Sequence, residues 1–250
     1  KRDSMNGSFL GPEFSDTEIE NELNECGAHY KKFSKDDLIY EVTEALIDQK
    51  AVGWMQGRME FGPRSLGARS ILADPRSSIM QKKLNLKVKY RESFRPFAPS
   101  VLREDVSEWF EHDIDSPYML LVATVQKEKQ RKMTLDEESL FGIDKLNVTR
   151  SEGPAITHVD YSARVQTVHE DTNPRFHALL SKFKEKTGCP LVVNTSFNVR
   201  GEPIICSPTH AFKCFMGTEL DVLAIGNYLL LKEDQNRNLK KNYKDRYKLD

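Results

Sequence analysis

Apolar positions along the chain repeat at two periods, and their order predicts a layered α/β fold. In SKDDLIYEVTEALIDQK, Leu38, Val42, Ala45 and Leu46 fall on one helical face, with Ser34 placed to cap the start. A second amphipathic run sets Phe176, Leu179, Leu180 and Phe183 on one face; Asn173-Pro174 opens it and Gly188 closes it. Shorter helices are expected over DTEIENELNEC with Asp16 as cap, over SSIMQKKLNLKVK, as a turn in REDVSEWFE, and over THAFKCFMGT after Ser207-Pro208. Between them lie apolar stretches of strand length: AVGWMQG, FAPSVL, YMLLVATVQ, CPLVVNTSFN and DVLAIGNYLLLKE, the last read as one strand. AITHVD and ARVQTVH read as hairpin-like neighbours. Alternation of this kind predicts an α/β class fold, a mixed twisted sheet with flanking helices.

Segment composition divides the chain into three. Residues 1–33 read as a polar lead-in, 34–233 as one domain, and 234–250 as a polar tail. Inside the domain, 127–153 is dense in charge and poor in core residues, which marks an exposed insertion. No apolar run approaches the ~20 residues that cross a bilayer, so no membrane partner is expected. The chain begins without an initiator methionine or the apolar stretch of a secretory signal, and is expected to be a piece of a longer cytoplasmic protein. Its four cysteines form no CxxC, and its six histidines fit no zinc spacing; reduced thiols and no metal site of its own are the expectation.

Charge changes this picture at one place. From Arg58 to Arg95, ten Lys and Arg stand against Glu60, Asp74 and Glu92, a local +7 in a chain whose net charge is −1. A cationic island rich in Gly and Pro, in an otherwise acidic chain, points to a preorganised site for a polyanion. Arginine suits it because its planar fork binds phosphate or carboxylate oxygens bidentately. The first stretch, GRMEFGPRSLGARS, carries Arg58, Arg64 and Arg69 at near-regular spacing, and a helix starting near Pro63 would turn its N-terminus toward an anion. The bland alternative is a surface loop whose arginines pair with nearby acids.

In the second stretch, KVKYRESFRPFAP, Lys87, Lys89 and Arg91 alternate as they would along an extended chain, next to Arg95 and an apolar Phe-Pro anchor. An edge strand guarded by lysines would look similar. The third, NTSFNVRGEP, follows an apolar strand and alternates Asn194, Ser196 and Asn198, with Arg200 just beyond; plain turn chemistry leading to Gly201 is the competing account. There is no GxxxxGK[ST], no GxGxxG and no GxSxG, and no cysteine has a basic setting fit for a nucleophile. His158 and Asp160 fit a rim or core role better than a catalytic one.

At these segments the chain resembles the C-terminal domain of the O-carbamoyltransferases that act on nodulation factors and antibiotics. The likeness runs from RDSMNGSFLGPEFS through GWMQGRMEFGPRSLGARSILADPR, KYRESFRPFAPSVL and NTSFNVRGEPIICSP to DVLAIGNYLLL. That domain is similar to the YrdC-like fold, whose KxR…SxN pair reads here as Lys89-Tyr90-Arg91 and Ser196-Phe197-Asn198. The resemblance implies that carbamoyl phosphate and ATP meet here and form carbamoyl adenylate. A hydroxyl-bearing acceptor would then take the carbamoyl group in a preceding actin-like ATPase-fold domain that carries its own metal.

On that expectation Lys89 and Arg91 hold carbamoyl phosphate or nucleotide phosphates, and Arg58, Arg64, Arg69 and Arg95 complete the cradle. Ser196, Asn198 and Arg200 orient phosphates and the carbamoyl amide, and Asn194 joins the residues that bind carbamoyl phosphate or ATP; Mg2+ accompanies the ATP. A YrdC-like cleft is also similar to proteins that make threonylcarbamoyl adenylate for tRNA modification or that bind RNA. The overall charge and the lack of a stacking aromatic set speak against nucleic acid. A non-catalytic interdomain module, and a homodimer, remain open.

Overall fold

A computed structural model describes residues 3–240. Among them, nine strands form one mixed sheet: β1 (Lys31–Lys32), β2 (Val52–Met55), β3 (Arg69–Ala73), β4 (Ala98–Leu102), β5 (Leu121–Thr124), β6 (Ser162–Val168), β7 (Leu191–Ser196), β8 (Val222–Ile225) and β9 (Tyr228–Leu231). They lie in the order β1-β9-β8-β2-β3-β7-β4-β6-β5, with β2–β8 and β4–β6 parallel and the other neighbours antiparallel. The helices are α1 (Asp16–Glu25), α2 (Lys35–Ile47), α3 (Met80–Lys87), α4 (Val106–Trp109), α5 (Leu135–Ser139), α6 (Gly142–Leu146), α7 (Pro174–Thr187) and α8 (Pro208–Gly217). α2 packs on α7 and α1 on α8, and helices of both pairs also rest on the sheet. Strands β2, β3, β4 and β8 are buried along their whole length, as strands covered on both faces must be.

The helix boundaries follow local chemistry. Ser34 caps α2, Asn173 caps α7 with Pro174 in its first turn, and Ser207 caps α8, each side chain accepting a backbone N–H. α1 is capped one residue earlier than expected: Ser15 accepts Glu18 N–H, while the Glu18 carboxylate takes the Ser15 N–H in return. Asp16 is the first helical residue instead. Residues 1–33 are not all lead-in, because α1 buries Ile19 and Leu23 and β1 extends the sheet beside β9.

The structure corrects four expectations. No helix starts near Pro63; a loop runs to β3, whose polar opening Arg69-Ser70 hid a central strand. AITHVD forms turns, with Ala155 and Ile156 sunk in the core, so it pairs with nothing as a strand. DVLAIGNYLLLKE is two antiparallel strands, folded back at Gly226 (φ 53°) and Asn227. Lys87, Lys89 and Arg91 are not on an extended segment: Lys87 ends α3 and pairs with Glu219 on the surface, and Tyr90 takes φ 49°.

Between β5 and β6, the 127–153 stretch carries α5 and α6 on the outside, with Phe141 93% exposed. Its base is pinned. Lys129 pairs with Glu108 at 3.5 Å and Glu152 at 3.4 Å, and lies over the Trp109 ring; Arg150 donates to the carbonyls of Lys145, Leu146 and Val148. Of the polar tail, Gln235 is buried against the His29 backbone and Arg237–Leu239 makes a short turn; 241–250 lie outside the described residues. Among the described residues no helix is long and apolar enough to cross a membrane.

Gly67 sits where β3 meets α7, at φ +103°, and a Cβ there would lie 2.2 Å from the Phe176 ring. Gly188, closing α7 at φ +74°, has open space around it. Gly67→Ala is therefore expected to cost about 3 kcal/mol or more and Gly188→Ala about 1 kcal/mol, read from urea midpoints at constant m-value. Equal losses would show that the Phe176 approach does not constrain the fold.

Candidate anion-binding site

One face of the sheet forms the floor of a cavity of about 420 Å³. Register dictates which side chains it shows: Val122 stands opposite Arg164, Ala98 opposite Asn194, and Ser196 two residues further along β7. All five line the cavity. Two loops close over them. The β2–β3 loop brings Arg64 and Ser65, and the segment after α3 brings Arg91, Arg95 and Phe97, with His158 at the rim.

Both loops are built from within. In the first, buried Glu60 accepts the N–H groups of Leu66 (2.6 Å), Ala68 (3.2 Å) and Arg69 (3.3 Å), so one carboxylate folds the segment that presents Arg64. In the second, Asn85 on α3 donates to the carbonyls of Ser93 and Arg95 and accepts from Arg91 Nε at 2.7 Å. The Arg91 guanidinium then lies over the Phe97 ring, 4.8 Å from its centroid.

Lys89 joins this segment to the end of β7. It is 4% exposed, and its Nζ reaches Ser196 O at 2.5 Å, Ser196 Oγ at 3.1 Å, Asn198 O at 2.9 Å and Asn198 Oδ1 at 2.8 Å. Ser196 Oγ donates to Asn198 Oδ1 at 2.6 Å, and Asn198 Nδ2 to Glu202 O. Lys89 thus stands behind the cavity wall and clamps the turn that carries Ser196, instead of facing a ligand. Burial, seconded by the charge of Arg91, pulls its pKa from 10.5 to about 7, against four acceptor oxygens that favour the ammonium.

The wall is cationic without compensation. Arg64, Arg91, Arg95 and Arg164 all line the cavity, and no Asp or Glu does. Among the described residues none of these four makes an ion pair, although Arg200 close by pairs with Glu92 at 3.9 Å. Burial, with Arg95 beside it, brings the Arg91 pKa down to about 10; burial and the charges of Arg64 and Arg95 lower that of Arg164. Burial also lowers the His158 pKa, assisted by Arg164 and opposed by Asp160. Such a wall repels itself and attracts anions.

The predicted site residues are distributed unevenly. Arg64, Arg91, Arg95, Asn194 and Ser196 meet in the cavity; Lys89 and Asn198 lie just behind it. Arg58 is exposed and off the wall, and Arg200 also lies off it. Arg69 is fully buried elsewhere, spending its guanidinium on the carbonyls of Pro12, Gln56, Gly57, Ala68 and Cys206. It stitches the loop and is not free to hold a ligand, which corrects its place in the expected cradle. Sequence reasoning missed Arg164, Glu60 and Asn85. Arg164 had a visible signal, an arginine between two apolar residues of a strand. Glu60 and Asn85 had none. No cluster of three or more His, Cys, Asp and Glu able to hold a metal occurs among the described residues.

With this geometry in hand, the chain can be placed among known proteins. Residues 43–232 match the family described as the carbamoyltransferase C-terminus. The chain is 54% identical over its whole length to an uncharacterized protein of Synechocystis, of which it covers 41%. It is 40% identical to nodulation protein NolNO of Sinorhizobium fredii over 92% of this chain and 32% of that one. It is 38% identical to the 3′-hydroxymethylcephem-O-carbamoyltransferase of Amycolatopsis lactamdurans over 66% of this chain and 27% of that enzyme. A solved structure of full-length HypF aligns with 81% of the chain at 19% identity and a TM-score of 0.47. The chain belongs to the carbamoyltransferase C-terminal family, and spans less than half the length of these curated relatives.

The Lys89 clamp has a pH signature. Below about pH 7 its amine is protonated in folded and unfolded chains alike; between about 7 and 10.5 only the unfolded chain keeps the proton. Stability should therefore rise with pH across that window relative to Lys89→Met, which lacks the group. Unfolding free energies of both proteins at several pH values check this, and a constant difference would refute the depressed pKa.

Proposed function

We propose that this domain binds carbamoyl phosphate and ATP in the guanidinium-lined cavity and forms carbamoyl adenylate. The carbamoyl group would then be passed to a hydroxyl of an acceptor held outside this chain. The observation that carries the reading is the convergence of Arg64, Arg91, Arg95 and Arg164 on one cavity with no carboxylate among its lining residues. Two polyanions repel each other, and apposing them needs fixed positive charge on several sides.

The overall reaction balances as carbamoyl phosphate, ATP and one water giving carbamoyl adenylate, pyrophosphate and phosphate. In it the guanidiniums would hold phosphoryl oxygens and stabilise the charge that grows on the departing phosphate and pyrophosphate. Lys89 acts at one remove, holding the Ser196–Asn198 turn so that the Ser196 side chain stays on the wall. Magnesium would arrive bound to the nucleotide, because the cavity offers no carboxylate ligand for it.

Calorimetric titration of the domain with carbamoyl phosphate, pyrophosphate and a non-hydrolysable ATP analogue tests the reading. Each should bind, and Arg91→Ala and Arg164→Ala should each weaken carbamoyl phosphate by about 1.5–3 kcal/mol. Absence of binding by all three ligands, or unchanged affinity in both variants, would overturn it.

A further inference from the structure

Of the described residues that line the cavity, His158 alone can exchange a proton near neutral pH. The four guanidiniums keep their charge there, and no Asp, Glu, Lys, Cys or Tyr is among the lining residues. The backbone fixes where His158 stands. Its N–H donates to Ser162 O at 2.9 Å, and Tyr161 N–H donates to His158 O at 3.0 Å, in a turn that Tyr161 tightens at φ 63°. This turn leads into β6, where Ser162 and Arg164, two residues apart, share the face that lines the cavity. His158 is flanked by that wall and yet exposed, so both water and ligand have access to it.

Among the described residues the imidazole makes no hydrogen bond or ion pair. Asp160 does not hold it, because that carboxylate accepts the N–H and the hydroxyl of Ser162 at 3.1 and 2.7 Å. Asp160 and Arg164 are the charged groups that face the ring. Burial together with Arg164 outweighs Asp160, so the ring is neutral at pH 7 and keeps a lone pair to offer. The overall reaction proposed above consumes a water, and water attacks a carbonyl carbon efficiently when a base takes its proton. Guanidiniums cannot serve as that base.

We infer that His158 is the general base of this step: its ring takes a proton from the water that attacks the carbonyl carbon of carbamoyl phosphate. This deepens the carbamoyl chemistry proposed above and rests on it. As the bond from the water oxygen to carbon forms, the bond from that carbon to the phosphate oxygen breaks. The electron pair leaves on the phosphate. The imidazolium then returns its proton to the departing phosphate, and the carbamic acid loses its own proton to solvent. Carbamoyl phosphate and water thus give carbamate, hydrogen phosphate and one proton, with His158 neutral again. A carbamate oxygen then attacks the α-phosphorus of ATP and expels pyrophosphate. The guanidiniums bind, and His158 moves the proton.

Phosphate release from carbamoyl phosphate with ATP present, followed in the wild-type domain and in His158→Gln, tests the assignment. Turnover should fall about a hundredfold or more in the variant. Its calorimetric affinity for carbamoyl phosphate should stay within about threefold of the wild type, since the guanidiniums hold the anion. Imidazole added in solution should restore part of the lost rate, which a merely structural role would not allow. Turnover within about threefold of the wild type would overturn the assignment, as would a loss of rate matched by a loss of affinity or untouched by imidazole. Each of these results would leave the anion site standing. A wild-type domain that releases no phosphate would overturn the carbamoyl-activating reading, and this inference with it. Should His158→Gln fail to fold, the wild-type pH profile decides alone: the rate should drop below about pH 6, and a rate constant between about pH 5 and 7 would overturn the assignment.

Discussion

One buried lysine side chain holds the site together. Lys89 lies on the segment after α3, and its four oxygen contacts are at the end of β7, more than a hundred residues further along the chain. Removing a lysine charge from water is tolerable only where several acceptors replace the lost hydration, so those contacts form as a set. With the Lys89 backbone held at Leu84 O and the Arg91 backbone at Asn85 O, the cation two residues on is delivered beside the Ser196 wall. The basic loop and the Asn/Ser turn are thus two sides of one rigid object, although of the clamped residues only Ser196 belongs to a regular element.

The second constraint is electrostatic. Four guanidiniums sharing one cavity raise each other's energy, and this adds to burial, the larger cause, in lowering the pKa values of Arg91 and Arg164. The fold tolerates this because Asn85, the Phe97 ring and the Glu60-folded loop hold the segments in place by other means. A carboxylate inside the cavity would relieve the repulsion and occupy the space an anion needs. Acids near the segment are used elsewhere: Asp74 pairs with Arg76, Glu60 takes backbone amides, and Glu92 faces Arg200. Part of the local charge seen in the sequence is cancelled on folding, since Lys83 pairs with Asp221 and Lys87 with Glu219, but Arg64, Arg91 and Arg95 keep theirs on the cavity wall, joined there by Arg164.

What the sequence made legible was whatever is decided within about four residues. Ser34, Asn173-Pro174, Gly188 and Ser207 each mark a helix end through a side-chain bond or a backbone angle that depends on local neighbours alone. Strand identity was legible where the run was apolar, as in β2 and the Leu191–Val193 start of β7. It failed for β3, whose first two residues are polar: the Arg69 guanidinium donates to backbone carbonyls and Ser70 Oγ accepts the Gly67 N–H. It also failed in part for YMLLVATVQ, of which only Leu121–Thr124 forms a strand at the sheet edge. Site membership was harder. Arg64 and Arg69 belong to one motif at similar spacing, yet one lines the cavity and the other is buried among carbonyls, since β3 begins between them. Arg164 comes to the cavity only through its register with Val122, a pairing no local pattern encodes.

The position of the exposed α5–α6 excursion has a consequence of its own. Strands β1 to β5 precede it and β6 to β9 follow it, yet in the sheet the two groups are interleaved, so that β9 and β8 separate β1 from β2, β7 separates β3 from β4, and β6 separates β4 from β5. Neither half can assemble a continuous sheet alone; each supplies the hydrogen-bonding edges the other lacks. A chain severed near Phe141 would stay joined as a noncovalent pair, with Arg64, Arg91 and Arg95 on one fragment and Arg164, Asn194 and Ser196 on the other. The cavity can therefore exist only as a joint product of both fragments, which makes the outer excursion a natural seam for splitting the protein into complementing parts.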